Sequence, residues 1–415
     1  MSEPSVFQQL FTRRMLICIF TGFSSGLPLY LLINLVPAWL KSEHIDLKSI
    51  GLIALVQIPY TWKFIWSPIM DRFPLFKLGR RKGWMLASQV ALAASIAALG
   101  FLSPQESIWT IAYLACGVAF FSASQDIALD AYRREILSDV ELGLGNSVHV
   151  NAYRIAGLIP GSLSLILADH LPWHWVFPIT AFFMLPGIAL SLVCREPMSV
   201  AAPKTLREAV VEPFHEFIQR RGVQSALLIL TFIFLYKLGD SMATSLATPF
   251  YQEMGFSKTE IGLIAKHAGL WPSVIGGLLG GIWMLKLGIN RALWVFGLVQ
   301  LVSIFGFYWL SLVGHDRIVL AFAISFEALG VGLGTAAFTA FIAKTTDPRY
   351  TATQFALFTS LAAVPRTFFN ASTGWLVENL GWSMFFLLCA GLAIPGMLLL
   401  LKVAPWFESK PTKHA

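Results

Sequence analysis

Long apolar runs separated by short polar segments fill almost the whole chain. Twelve of these runs reach roughly 20 residues, the length at which a helix crosses the hydrocarbon core of a bilayer. Such a segment crosses lipid as a helix because its backbone groups then bond to one another. The predicted spans are residues 15–40, 47–68, 83–102, 107–130, 143–168, 174–194, 224–250, 258–285, 291–313, 318–343, 351–377 and 382–402.

Composition agrees with this pattern. Of the 415 residues, 56% are hydrophobic and 13% charged, with a mean hydropathy of +0.68. An ordinary soluble domain has about 25% charged residues. The sequence therefore predicts an all-α polytopic membrane protein.

Short matches at one offset indicate an internal repeat. "IGLIA" begins at Ile50 and again at Ile261, "KLG" at Lys77 and Lys286, and Arg154 pairs with Arg366, with offsets of 211, 209 and 212. Parallel six-helix halves are the plan of major facilitator transporters. We expect two pseudo-symmetric six-helix bundles, at residues 1–194 and 223–415, joined by a linker at 195–222.

The linker contains "TLREAVVEPFHEFIQRR", in which Leu206, Val210, Phe214 and Phe217 recur at helical spacing. This pattern is typical of a short amphipathic helix at a membrane surface. A simple charged tether is the alternative interpretation.

The distribution of basic residues predicts the topology. The net charge is +7, and the loops on the side of the two termini hold 21 Lys and Arg, against four in the opposite loops. Cytoplasmic loops carry the excess of basic residues, so both termini are expected in the cytoplasm. The same asymmetry accounts for the positive charge without a nucleic-acid partner.

The loop after the second predicted span, "MDRFPLFKLGRRKGW", resembles the loop signature of the major facilitator superfamily, although its two parts lie further apart than usual. In that superfamily the loop gates the cytoplasmic side. The matching residues are Asp71, Arg72, Gly79, Arg80, Arg81 and Lys82.

Charged residues also occur within or at the ends of the predicted spans. Each costs about 3 kcal/mol in the bilayer on insertion scales, so they must be paired, hydrated in a cavity, or both. We expect them to face one aqueous chamber. They are Lys63, Asp126, Asp130, Arg154, Lys237, Asp240, Lys266, Glu327 and Arg366.

Two of the acids lie one helical turn apart in "SASQDIALDAYRRE". Asp130, at the cytoplasmic end, is expected to pair with Arg133 or Arg134, or with arginines of the gating loop. Asp126 lies deeper and is a candidate proton carrier, with membership of the same network as the alternative. Lys63 is expected to extend to the interface.

In "LYKLGDSMATSL", Lys237 and Asp240 stand three residues apart on one helix face. They form either a self-contained ion pair or a switch, in which protonation of Asp240 frees Lys237 for an anionic substrate. Glu327 is a third candidate proton carrier. Arg154 and Arg366 offer forked donors for a carboxylate, with a salt bridge to an intramembrane acid as the alternative.

The sequence lacks the common motifs for nucleotide binding, hydrolysis and metal binding. There is no G-x-x-x-x-G-K-[ST] loop and no H-E-x-x-H or G-x-S-x-G, and the four cysteines have no C-x-x-C spacing. We therefore expect no metal, no cofactor and no enzymatic activity. A non-transporting sensor or an intramembrane enzyme is the remote alternative.

Taken together, "GFSSGLPLYL", "GRRKGWMLASQ", "SASQDIALDAYR", "LYKLGDSMATSL" and "ATQFALFTSLAAVPR" resemble the AmpG muropeptide permeases, a branch of the major facilitator superfamily. The resemblance implies proton-driven import of GlcNAc-1,6-anhydro-MurNAc peptides across the bacterial inner membrane. It also implies a part in peptidoglycan recycling and β-lactamase induction. We expect the protein to act as a monomer.

Five basic and four acidic residues in the spans suit an anionic cargo, and muropeptides carry carboxylates. A siderophore, a small peptide or an acyl-CoA-like anion is the alternative cargo. The expected substrate contacts are Asn34, Gln57, Gln125, Asn151, Arg154, Tyr236, Lys237, Lys266, Trp271 and Arg366.

Overall fold

The computed structural model describes residues 12–45, 58–197, 205–369 and 372–406. Within these ranges the regular structure is entirely helical. The helices are α1 (Arg13–Ser42), α2 (Ile58–Trp62), α3 (Ser67–Arg72), α4 (Arg80–Leu99), α5 (Ile108–Ile136), α6 (Leu142–Ala168), α7 (Trp173–Val193), α8 (Leu206–Arg221), α9 (Val223–Glu253), α10 (Lys258–Val313), α11 (Arg317–Thr345), α12 (Thr351–Phe368) and α13 (Thr373–Val403).

Nine helices of the described residues are long and apolar enough to cross a membrane. Most predicted spans agree with them to within a few residues. The 56-residue α10 contains the non-helical Gly288 (φ 73°), which lies between the predicted spans 258–285 and 291–313. Gly381 (φ 71°) interrupts α13 just before the predicted span 382–402. The first part of the predicted span 47–68 lies outside the described residues.

Local signals fix several helix ends. The Thr12 side chain accepts a hydrogen bond from the Met15 amide and caps α1. Ser257 and Glu260 form a reciprocal capping box at the start of α10. Gly79 precedes α4 at φ 110°, a conformation that favours glycine. These polar residues and glycines therefore set the starts of three apolar helices.

Contacts divide the chain into two units: residues Met1–Glu216 with Ala343–Ser360, and Phe217–Ile342 with Leu361–Ala415. In the first unit, α1 packs closely on α6 because glycines face it. A Cβ atom on Gly22 would lie 2.1 Å from the His149 carbonyl oxygen, and one on Gly26 would lie 2.2 Å from that of Tyr153. Small residues allow such close helix contacts in membrane proteins.

We expect Gly22→Ala to destabilise the protein by about 1–3 kcal/mol, because a methyl group must displace the α6 backbone. Gly117→Ala is the matched control, since a Cβ atom there would contact nothing within 4 Å. Thermal unfolding in detergent measures both variants. Equal unfolding temperatures for the two would contradict the close contact between α1 and α6.

Aromatic packing dominates the core of the second unit. Phe250 lies 4.8 Å, ring centroid to centroid, from both Trp382 and Phe386, and Phe307 stacks on Phe386 at 5.6 Å. A Cβ atom on Gly239 would lie 2.3 Å from the Cys389 carbonyl oxygen, so α9 approaches α13 through this glycine. The charged segment of α9 is thus held on a closely packed scaffold.

The segment expected to be a linker helix is helical, as α8. Of its predicted apolar face, Phe217 is buried, whereas Val210 and Phe214 are more than 40% exposed. Location at the membrane surface stays a prediction.

Candidate functional site

A buried carboxylate joins the predicted gating loop to α12. Asp71 is fully buried and accepts a 2.8 Å hydrogen bond from Nη2 of Arg81. Its oxygens also accept from the Ala352 amide (3.3 Å), the Thr353 amide (2.7 Å) and the Thr353 hydroxyl (2.6 Å). The first amides of a helix carry partial positive charge, so a carboxylate is well placed there. Asp71 thereby fixes the start of α12 within the first unit.

The gating-loop arginines extend this network to the end of α5. Arg81 donates from Nε and Nη2 to Oε1 of Glu135, at 3.0 and 2.6 Å. Arg80 lies 3.7 Å from the same oxygen and donates to the Asp71 backbone carbonyl at 3.1 Å. Two carboxylates thus share the buried Arg81, an arrangement that Arg favours because its donors form a rigid fork.

A third carboxylate, that of Glu196, caps the start of α4. Both oxygens of Glu196 accept backbone hydrogen bonds, from Arg81 at 2.8 Å and from Lys82 at 3.0 Å. A Cβ atom on Gly79 would lie 2.5 Å from the Glu196 carboxyl carbon, so glycine leaves room for this cap. The Cζ atom of the predicted gating residue Arg72 lies 5.0 Å from the Phe73 ring centroid.

Asp130 belongs to a separate cluster. Among the predicted alternatives it pairs with Arg133, at 2.8 Å, and Arg133 also donates to Oδ1 of Asn146 at 2.8 Å. Lys63 does not extend to the interface as expected: it is 7% exposed and its Nζ lies 4.0 Å from Asp130. That expectation is wrong, because a partner on another helix replaces water around the ammonium group.

Asp126 lies one turn from Asp130 and accepts a 2.6 Å hydrogen bond from the Ser25 hydroxyl of α1. Its neighbour Gln125 is fully buried, and both ends of its amide bond to Ser24. Gln125 therefore fastens α5 to α1 in this conformation.

The second unit holds a compact polar group around Lys237. Its Nζ lies 3.0 Å from the Thr335 hydroxyl of α11 and 3.9 Å from Oδ2 of Asp240. Lys237 has φ −102° and ψ 1° and separates two helical segments of α9. The Tyr236 hydroxyl donates to the Leu293 carbonyl at 2.9 Å, and its ring stacks on Phe338. Tyr236 thus packs beside the charged pair.

The other predicted substrate contacts differ in their surroundings. Asn151 is 3% exposed, and among the described residues neither its Oδ1 nor its Nδ2 has a hydrogen-bond partner. Arg154 and Glu327 are partly buried, and Asn34 is exposed. Trp271 is 53% exposed. Gln57 and the side chains of Lys266 and Arg366 lie outside the described part of the structure.

The ion pair between Glu260 and Arg317 lies just before the apolar membrane-spanning part of α10, which begins at Leu263, and it predicts that uptake does not depend on the titration of Glu260. The Ser257 amide and hydroxyl and the Arg317 guanidinium lower the pKa of Glu260 to about 2. A lowered carboxyl pKa contributes stability that is lost only as pH falls through that value. We expect Glu260→Gln to leave the shape of the pH profile of uptake unchanged between about pH 5 and 8, where an ordinary carboxyl is already ionised. A profile altered in this range would contradict the assignment.

Sequence reasoning missed several residues that contact the predicted ones from distant parts of the chain. They are Ser25, Glu135, Asn146, Glu196, Thr335 and Thr353. A local signal existed for Thr353, which follows Pro348 near a helix start. The described residues contain no group of three or more His, Cys, Asp or Glu placed to hold a metal ion.

The long apolar helices, together with the buried charge network of the predicted gating loop, are typical of a membrane transporter. The chain belongs to the Major Facilitator Superfamily, whose family profile matches residues 15–370. The structure of the human organic anion transporter MFSD10 (TETRAN) is similar in fold, with a TM-score of 0.69 and 15% identity, over 94% of this chain and 99% of that one. The fold class predicted from the sequence is confirmed.

More similar relatives narrow the assignment. The chain is 42% identical over 399 residues to the anhydromuropeptide permease of Escherichia coli strain K12, covering 95% of this chain and 80% of that protein. It is 52% identical over 412 residues to an uncharacterized protein of Haemophilus influenzae, covering 97% of each. The resemblance to AmpG-type permeases is confirmed, and the chain is an inner-membrane transporter rather than an enzyme.

Proposed function

We propose that this protein imports anhydromuropeptides, GlcNAc-1,6-anhydro-MurNAc peptides, by proton-coupled alternating access. The observation that carries the proposal is 42% identity, across 95% of this chain, to a permease named for that substrate. In this proposal the import serves peptidoglycan recycling and β-lactamase induction. Import needs a binding site, a coupling group and a gate, and residues of the chain suit each role.

For the binding site, we assign the substrate carboxylates to Arg154, Lys237, Lys266 and Arg366. The best-supported polar contact is Asn151, because a buried amide without hydrogen bonds costs free energy that a sugar hydroxyl or acetamido group would offset. The remaining proposed contacts are Asn34, Gln57, Gln125, Tyr236 and Trp271.

For proton coupling, we assign the main role to Asp240, with Asp126 and Glu327 as further candidates. Asp240 lies on the same helix as Lys237, which also reaches Thr335. Protonation of Asp240 removes the charge that competes for Lys237, so the ammonium becomes available to a substrate carboxylate. Loss of the proton restores the pair and releases the substrate. One proton and one anionic group are thereby linked.

For the gate, we assign the Asp71 network with Gly79, Arg80 and Arg81, and we add Arg72 and the separate cluster around Asp130. Transport requires the start of α12 to leave Asp71 and return. The hydrogen bonds from Ala352 and Thr353 are the contacts that break in each cycle. Arg81 stays beside Asp71, so the carboxylate keeps a partner when α12 moves.

We further propose that both termini lie in the cytoplasm, because 21 basic residues lie in the loops on that side. The functional unit in this proposal is a monomer with bundles at 1–194 and 223–415 and a linker at 195–222.

Uptake into membrane vesicles tests the proposal. Radiolabelled anhydromuropeptide should accumulate when the outside is acidic, and a protonophore should abolish the accumulation. An excess of unlabelled anhydromuropeptide should block it, whereas a ferric siderophore, a free tripeptide or an acyl-CoA should not. Uptake of one of those anions in place of muropeptide would support the alternative cargo. Muropeptide uptake that ignores the gradient would contradict proton coupling.

A further inference from the structure

A hollow of about 460 Å³ lies where the chain leaves α13. Its lining is Trp294 of α10 together with Leu401, Pro405 and Trp406. The turn that follows α13 is fastened to α10, because the Trp294 indole donates to the Ala404 carbonyl at 2.9 Å. This hydrogen bond between α10 and the turn after α13 therefore holds the hollow in shape within the second unit.

Two exposed cations are close to the lining residues, Arg291 by contact with Trp406 and Lys402 as the sequence neighbour of Leu401. Arg291 donates from Nε to the Trp406 carbonyl at 3.2 Å, and its Cζ lies 5.9 Å from the Trp406 ring centroid. The Nη nitrogens of Arg291 have no hydrogen-bond partner among the described residues. Lys402, in the last turn of α13, adjoins the lining residue Leu401 and is exposed. Arg291 thus places hydrogen-bond donors for an anion beside an apolar hollow, and Lys402 adds a positive charge at the adjoining end of α13.

The position of Arg291 favours an external anion. It lies three residues after the non-helical Gly288, in the first turn of the second part of α10. The positive end of the helix dipole disfavours a cation there and favours an anion. Stacking on Trp406 holds the guanidinium in place without neutralising it.

The apolar lining of the hollow and the basic residues near it indicate which class of ligand it binds. Tryptophans are typical of the membrane interface, and basic pockets between transmembrane helices bind anionic lipid head groups. We propose that the hollow binds an anionic phospholipid, with its phosphate at Arg291 and Lys402 and its upper acyl chain against Leu401 and Trp294. The inference rests on the membrane location of the chain and is independent of the transported substrate.

Native mass spectrometry of the purified full-length protein tests this. The probes are phosphatidylglycerol and phosphatidylethanolamine with identical acyl chains. Wild type should retain phosphatidylglycerol in preference. Arg291→Gln and Lys402→Gln should each weaken its binding about five-fold, because one basic residue near an anionic surface contributes about 1 kcal/mol. Lys41→Gln is the matched control and should change nothing, since Lys41 is also an exposed lysine in the last turn of its helix.

Misfolding does not obscure the result, because the Lys402 side chain is exposed and has no hydrogen bond or ion pair within the described residues, so its replacement removes only charge. Equal retention of the two lipids by wild type would overturn the proposal. So would equal lipid binding by Lys402→Gln and Lys41→Gln. A concentration-dependent dimer with no lipid preference would also overturn it, by assigning the hollow to a second copy.

Discussion

Asp240→Asn should abolish the accumulation of anhydromuropeptide against a gradient. An amide cannot carry the proton, so the pH gradient no longer drives the substrate. For one proton per substrate, a gradient of one pH unit supports about ten-fold accumulation in wild type. The variant should equilibrate at a ratio of about one. Labelled uptake into vesicles with an imposed gradient measures this ratio.

Exchange of substrate across the membrane distinguishes a variant that has lost proton coupling from one that has lost all transport activity. Asp240→Asn should still exchange labelled for unlabelled muropeptide when both sides hold substrate, because exchange needs no net proton movement. Asp316→Asn is the matched control: this residue caps α11 through the Ile318 and Val319 amides, outside the membrane-spanning segments. Ten-fold accumulation by Asp240→Asn would remove Asp240 from the coupling role.

The second large effect is expected at the gate. Asp71→Asn should loosen the start of α12 and lower the transport rate at least ten-fold. Asparagine keeps the shape of the side chain but leaves the buried Arg81 with one carboxylate fewer. Arg81 keeps Glu135 as a partner, so the loss is that of a hydrogen bond to a charged group, about 1.5–3 kcal/mol. Hydrogen exchange of the peptide that includes Ala352 and Thr353 should therefore be about ten-fold faster or more.

Asp139→Asn provides the control for this effect. Asp139 pairs with Arg134 at 3.1 Å, but its side chain is 67% exposed, and exposed pairs contribute at most about 1 kcal/mol. The same chemical change there should leave exchange at Thr353 unaltered. If exchange at Thr353 is equally slow in Asp71→Asn and wild type, Asp71 does not hold α12.

The helices were predictable because lipid imposes a strong and local rule. A run of about 20 apolar residues has few alternatives to a helix, so most of the span positions follow from the sequence. The predicted span 351–377 is an exception, because α12 ends at Phe368 and is not among the nine apolar helices of the described residues. Interruptions within the helices were harder to predict. The break at Lys237 occurs where its side chain contacts Thr335 of another helix. No glycine or proline immediately flanks Lys237, so the sequence gives no local signal for the break.

The partners of the charged residues could not be predicted for a physical reason. Asp71 contacts Ala352 and Thr353, which lie 281 and 282 residues further along the chain. No periodic pattern encodes such pairs. The pairing of Asp130 with Arg133 was among the alternatives because the two stand one turn apart on a helix. Lys63, whose partner lies on another helix, was wrongly expected to reach the interface.

The central claim is that muropeptide and proton cross the membrane together, and it is tested most directly by following protons rather than substrate. Vesicles that hold the protein and an internal pH dye, with no gradient imposed, receive anhydromuropeptide outside. The interior should acidify with wild type and should not acidify with Asp240→Asn. Entry of labelled muropeptide into wild-type vesicles without any internal acidification would contradict the claim.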